Sequence, residues 1–178
     1  MTSKNHKTGT DRIYEALKKL DKKDADLVIN LQGDEPLMKS DDIKNLNQKM
    51  IMSQSKIGTL ASNFLNKDLY ENQNVVKVKT SESLQVSNFP EAINFMRNSK
   101  HSDENIYHHL GIYCYDIETL KNYVSIKQSS NEIKSKLEQL RALDNNIKIN
   151  VAQAKSFPIG LDTMEDYVAI KKIMEYKS

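Results

Sequence analysis

Apolar positions along this chain follow two rhythms, one of helices and one of strands, and they exchange several times. Ile13, Ala16, Leu17 and Leu20 recur at helical spacing behind Thr10, a residue suited to a helix N-cap. Leu27-Val28-Ile29-Asn30-Leu31 is a short apolar run of strand length. Ser40-Asp41-Asp42 opens a second helix with Ile43, Leu46 and Met50 on one face. Strands are predicted over 57–64 and 75–78, with polar Ser81-Glu82-Ser83 turning the chain. From about 88 to 106 Asn, Ser, Pro and charged residues dominate, which predicts an irregular arm. Residues 107–115 are aromatic and β-branched and read as a strand. Helices at 117–124 and 131–143 follow, then a strand over 147–152 with Ile147, Ile149 and Val151 alternating. Thr163 is placed to cap a last helix in which Tyr167, Ile170, Ile173 and Met174 are spaced for burial. This order predicts an α/β layered domain over 1–178 with a mostly parallel sheet.

Composition narrows the function classes. The 178 residues are 38% hydrophobic and 28% charged, with a net charge of +2. So balanced a charge gives no argument for nucleic acid or an anionic membrane. No apolar stretch reaches the length of a membrane span or a signal-peptide core. Cys114, the single cysteine, has no internal disulfide partner and sits in an apolar-alternating run, which fits a buried thiol in a reducing cytoplasm. It also has no companions for a zinc site.

The candidate chemistry begins at Gln32-Gly33-Asp34-Glu35-Pro36, directly after the first strand. Parallel strands of α/β sheets present ligands at their carboxyl ends. An Asp leaving such a strand can hold a magnesium ion that bridges phosphate oxygens, although Gly-Asp is also ordinary turn chemistry. His109 shares a strand face with Gly111, Tyr113 and Tyr115, while His108 points the other way. That face is either core or the wall of a site. Asp162, taken alone, reads as a residue leading into a helix cap. Arg141 reads as a helix-surface or salt-bridge residue. The five glycines form no phosphate-loop pattern, and the first ten residues are polar with no strand. Either the site is built differently or the chain starts in the middle of a larger domain.

Four segments in order carry more weight than any one alone: His6-Lys7-Thr8-Gly9-Thr10-Asp11-Arg12, Gln32-Gly33-Asp34-Glu35-Pro36, His108-His109-Leu110-Gly111-Ile112-Tyr113-Cys114-Tyr115, and Leu137-Glu138-Gln139-Leu140-Arg141-Ala142-Leu143. Gly160-Leu161-Asp162-Thr163 follows near the end. Together they resemble the 3-deoxy-manno-octulosonate (Kdo) cytidylyltransferases, or CMP-Kdo synthetases, from about Thr8 to the C-terminus.

The resemblance implies a Rossmann-like nucleotidyltransferase fold and a reaction of Kdo with CTP that yields CMP-Kdo and pyrophosphate. It implies magnesium as cofactor, a homodimer in the full-length family member, and a place in lipopolysaccharide synthesis. By motif, Asp34 and Asp162 match the metal-binding carboxylates. Gln32 matches a residue near the sugar and nucleotide, and Gly9, Thr10 and Arg12 match a segment lining the nucleotide. His109, Glu138 and Gln139 match positions holding the acidic sugar, and Tyr113 is assigned to the same wall. Glu138 and Gln139 are adjacent, so on a helix they cannot share a face unless they lie at its mouth. Family members begin with a strand and a basic Pro-x-Arg loop that this sequence does not show before Met1. The expectation is therefore an N-terminally truncated domain, inactive by itself. A cytidylyltransferase for a related sugar acid and a non-catalytic remnant that binds sugar or a partner subunit remain as alternatives.

Overall fold

The computed structural model describes residues 1–21, 25–99, 104–156, 160–161 and 164–175. In chain order the elements are α1 (Gly9–Lys19), β1 (Leu27–Asn30), α2 (Ser40–Ser53), β2 (Ile57–Ser62), α3 (Lys67–Glu71), β3 (Lys77–Thr80), β4 (Ala92–Met96), β5 (Ile106–Asp116), α4 (Ile117–Ser125), α5 (Ser130–Ser135), α6 (Leu140–Asp144), β6 (Ile149–Gln153) and α7 (Met164–Glu175). The strands form one six-stranded sheet in the order β4-β3-β5-β2-β6, with β1 also paired to β5. The long β5 is its spine: residues 113–116 pair with β1 on one side, and residues 108–115 pair with β2 on the other.

The mixed α/β layered class stands, but the sheet is mostly antiparallel rather than mostly parallel. Among the described residues only β2 and β6 pair in parallel. The reason lies in β5. β1, β2 and β3 are each antiparallel to it, so those three run in one direction, as βα alternation predicts. Because β5 is inserted between them, each direct contact it makes is antiparallel.

Two apolar clusters hold the layers. On one face Ile13, Tyr14 and Leu17 of α1 join Leu120 and Tyr123 of α4 against Tyr113, Tyr115 and Val151. On the other, Leu46 and Met50 of α2 pack on Leu60, Leu110, Ile112 and Cys114. α2 lies so close to the sheet that a Cβ on Gly58 would stand 2.6 Å from Met50 Sδ and 3.1 Å from Phe89 Cζ. Any side chain there would push the helix off β2.

Local chemistry corrects several boundaries. Thr8, not Thr10, caps α1, its hydroxyl accepting from the Asp11 amide. The arm expected to be irregular contains β4, paired antiparallel with β3. Its Ala92 and Phe95 are buried while Ile93 and Asn94 are exposed, and that mixed pattern hid the strand. The short α3 had no signal strong enough to predict it. The helix expected over 131–143 is two, because Lys136 adopts a left-handed conformation (φ 53°) that ends α5. α5 itself starts in a capping box between Ser129 and Glu132. Thr163, the expected cap of the last helix, lies outside the described residues.

Candidate active site

β1, β2 and β6 run the same way, and the segments that follow β1 and β2 line a cleft of about 1260 Å³. Seven of the ten residues singled out from the sequence line it: Gly9, Gln32, Asp34, His109, Tyr113, Glu138 and Gln139. Arg12 does not. It is exposed, with its guanidinium 3.5 Å from Thr2 Oγ1 and from the Ser3 carbonyl. Thr10 is buried behind the wall, and Asp162 lies outside the described residues.

One part of the cleft is built from segments far apart in sequence that meet. After β1, Gln32 brings its amide close to Gly9 at the start of α1, where a Cβ on Gly9 would lie 3.7 Å from Gln32 Nε2. The Asp34 carboxylate is exposed to the cleft, and the Asp34 carbonyl accepts from the Leu161 amide at 2.8 Å. The chain leading toward that contact is held by Asp42 of α2. This buried carboxylate accepts from the amides of Lys155 (2.8 Å) and Ser156 (3.0 Å). The Gln32–Pro36 loop and the Gly160-Leu161 segment, far apart in sequence, thus lie side by side.

Glu138 and Gln139 line the same cleft. Gln139 is the N-cap of α6 and Glu138 precedes it, so both sit at a helix mouth, the one arrangement that lets neighbours face one site. Glu138 is fixed by Thr10, whose hydroxyl donates to Oε1 at 2.9 Å and whose amide lies 3.4 Å from Oε2. With its proton used there, Thr10 accepts from the Tyr115 hydroxyl at 3.1 Å. Tyr123 donates to the Glu138 carbonyl at 2.5 Å. Thr10 is thus the support of a cleft residue rather than a cleft residue.

That presentation rests on a buried ion network. Arg141 is 2% exposed and binds Glu132 through two bonds of 2.9 and 2.6 Å, with Asp11 at 3.5 Å and the Tyr123 ring beneath its guanidinium at 4.7 Å. It is a salt-bridge residue, as one of its two sequence readings had it, but an interior one. It ties α1, α4, α5 and α6 around the Glu138-Gln139 turn.

The floor is the aromatic face of β5. His109 and Tyr113 line the cleft, and Tyr115 and, from α4, Tyr123 continue the row behind them, with successive ring centroids 5.4, 5.8 and 6.0 Å apart. Burial raises the Tyr113 and Tyr115 hydroxyls well above their ordinary value. His108 also reaches the cleft, at its rim, with its ring 6.1 Å from Phe64. The cleft wraps round this end of β5, which is why both histidines line it although they leave opposite sides of the strand.

Burial lowers His108 from 6.5 to about 4, helped by nearby Lys77, and lowers His109 to about 3, helped by His108. Both rings stay neutral in the fold, while the unfolded chain protonates them below about pH 6.5. Stability is therefore complete above that pH and falls as pH drops toward the folded values. The slope is up to about 1.4 kcal/mol per pH unit for each ring. Urea unfolding between about pH 7.5 and 5 measures it. A flat profile would mean that protons reach both rings without unfolding.

Sequence reading missed Arg97, which lines the cleft from the end of β4. Its guanidinium donates to the carbonyls of Gln73 (3.3 Å) and Asn74 (3.2 Å). Fully buried Lys77 braces the same wall by donating to the carbonyls of Asn72 (2.5 Å), Val75 (2.9 Å) and Arg97 (2.7 Å). The poor pattern of the arm carried no signal for Arg97.

The family model for cytidylyltransferases matches residues 1–149. The 3-deoxy-manno-octulosonate cytidylyltransferase of Bartonella tribocorum is 38% identical over 176 residues, covering 98% of this chain and 72% of that protein. The chain belongs to the 3-deoxy-manno-octulosonate cytidylyltransferase family. The family's enzyme from Thermodesulfovibrio yellowstonii is 40% identical over 184 residues, again with 98% of this chain and 72% of the relative covered. Among solved structures, CMP:2-keto-3-deoxy-manno-octonic acid synthetase complexed with CTP matches with a TM-score of 0.84 and 29% identity, over 100% of this chain and 72% of that one. An apo UDP-glucose pyrophosphorylase matches at 0.68 with 14% identity, over 99% and 62%, a likeness of fold alone. The enzyme reading of the cytidylyltransferase motifs is thereby favoured over the non-catalytic alternative. No helix among the described residues is long and apolar enough to cross a membrane.

Proposed function

We propose that this cytidylyltransferase-family chain activates 3-deoxy-manno-octulosonate with CTP. The anomeric hydroxyl of the sugar attacks the α-phosphorus, a new P–O bond forms, the α–β bridge breaks and pyrophosphate leaves. The observation that carries the reading is the presence in one cleft of Asp34 and the Glu138-Gln139 helix mouth. It stands in a chain that shares a TM-score of 0.84 with a synthetase complexed with CTP.

The cleft's own residues suit that task. Arg97, Lys136 and Lys7 line it with positive charge suited to a sugar carboxylate and to phosphates. Glu138, held by Thr10, is an acceptor for sugar hydroxyls, and Gln139 offers both a donor and an acceptor. Positioning of this kind supplies much of the rate in an in-line displacement. Gln32, beside Gly9, is assigned from its motif to a place near both sugar and nucleotide.

Magnesium fits the donor set. Among the described residues no group of three His, Cys, Asp or Glu side chains forms a closed metal site. Magnesium needs no such cage, since it is commonly held by one or two carboxylates plus substrate phosphates and water. Asp34 would be its protein ligand, with Asp162 proposed from the motif as the second. Bound there, the ion would neutralise phosphate charge.

A cytoplasmic location suits a CTP-using enzyme, and the buried Cys114 thiol, pushed up to about 12, is inert. We extend the proposal to a homodimer and to a role in supplying activated Kdo for lipopolysaccharide. The test is pyrophosphate release by the purified full-length protein with CTP, UTP and GTP in turn, and with a panel of sugar acids. Turnover with CTP and Kdo is expected. Equal use of the three nucleotides, no dependence on Kdo, or preference for another sugar acid would overturn the assignment.

A further inference from the structure

Thr59 stands in β2 where its pairing with β5 slips. Thr59 faces Tyr113, the next residue Leu60 faces Leu110, and Gly111 and Ile112 are left over as a bulge. Bulges re-aim side chains, and they are common beside active sites. The Thr59 hydroxyl is fully buried and has two close neighbours, the Ile112 carbonyl at 2.7 Å and His109 Nε2 at 2.9 Å, with the Leu110 carbonyl further off at 3.4 Å.

A hydroxyl has one proton, and a carbonyl oxygen can only accept. Were the Thr59 proton turned toward His109, two oxygen acceptors would face each other at 2.7 Å. The proton therefore goes to Ile112, and Thr59 shows His109 a lone pair. Nε2 must then carry a hydrogen. His109 is neutral in its buried setting, with its pKa lowered to about 3, so it has only one ring proton. Nδ1 is left as a bare acceptor. It has no hydrogen-bond partner among the described residues, and the His109 side chain lines the cleft.

We propose that Thr59 is a positioning residue that locks His109 as the Nε2–H tautomer, so that Nδ1 accepts a hydrogen bond from a hydroxyl of the sugar acid. The identity of the sugar acid rests on the proposed function; the tautomer does not. An acceptor at this point repels a carboxylate, so the sugar must enter with its acid group toward Arg97 and Lys136. The bulge thus helps set the orientation of the substrate as well as the bend of the strand.

The tautomer is read in ligand-free protein by nitrogen-15 NMR of labelled histidine, with Thr59→Val assigning the His109 signal. The wild type should show protonated Nε2 and bare Nδ1, and Thr59→Val should lose that signature. In steady-state assays Thr59→Val should raise KM for Kdo by roughly threefold to tenfold, the worth of one neutral hydrogen bond, and leave KM for CTP unchanged. Thr59→Ser should restore both readouts. A protonated Nδ1 in the wild type overturns the proposal whatever the substrate proves to be. So does a Thr59→Val protein that keeps the wild-type tautomer and KM. If Thr59→Val does not fold, the wild-type spectrum and the Thr59→Ser kinetics decide: both must match the expected tautomer and KM, and failure of either overturns it. Absence of turnover with Kdo alongside the expected tautomer would count against the substrate assignment and leave the Thr59–His109 device intact.

Discussion

Asp34→Asn should lower kcat by roughly 10²–10³-fold while leaving thermal stability nearly unchanged. A charged oxygen ligand to a catalytic metal stabilises transition-state charge by several kcal/mol, and each 1.36 kcal/mol is about tenfold in rate. The fold should tolerate the change because the side chain is exposed and the contact that anchors this loop uses the backbone. The Asp34 carbonyl accepts from Leu161 N at 2.8 Å, and asparagine keeps that carbonyl. Pyrophosphate release across a magnesium titration, with thermal unfolding alongside, checks both halves. A wild-type kcat at saturating magnesium would reduce Asp34 to a turn residue.

Arg141→Ala should destabilise the protein by about 3–5 kcal/mol, because it leaves the Glu132 carboxylate buried without its charged partner. Replacing both partners with apolar residues, as in Glu132→Leu with Arg141→Met, should do less harm than the single change, since no orphan charge remains. The double variant still loses the capping box at Ser129, so full recovery is not expected. Urea unfolding of the two variants at one pH measures the difference. A single variant as stable as the wild type would mean that the network reorganises around Glu132. Because the network carries the Glu138-Gln139 turn, a folded fraction of Arg141→Ala should also show a raised KM for Kdo.

Much of the site was legible because cleft residues come from short, ordered motifs. Gln32 and Asp34 follow an apolar run that could only be a strand, so their place at its carboxyl end followed from the order of elements. His109 and Tyr113 share parity along β5, and the structure does put both on one face and in the cleft. Glu138 and Gln139 were harder. Apolar spacing across 131–143 suits one continuous helix, in which they would diverge. The left-handed Lys136 and the Glu132–Arg141 ion pair break that helix, and both are long-range consequences of packing. Thr10 and Arg12 share a motif, yet one became an interior brace and the other a surface residue. A motif records which residues occur together, not which way each side chain turns.

What this sequence determined by itself was local. Hydrophobic period set strand and helix for most elements, the βα alternation set a common direction for β1, β2 and β6, and the ordered motifs pointed to the cytidylyltransferase family. Pairing was left to the tertiary structure. The insertion of β5 between β1 and β2 turned an expected parallel sheet into a mostly antiparallel one, and the bulge in that strand brought Thr59 against His109. Neither event leaves a trace in local sequence, because strand order and register are decided by which apolar faces can be covered at once. The same holds for buried Lys77, whose three carbonyl partners exist only once the loop before β3 and the end of β4 have been brought together around it.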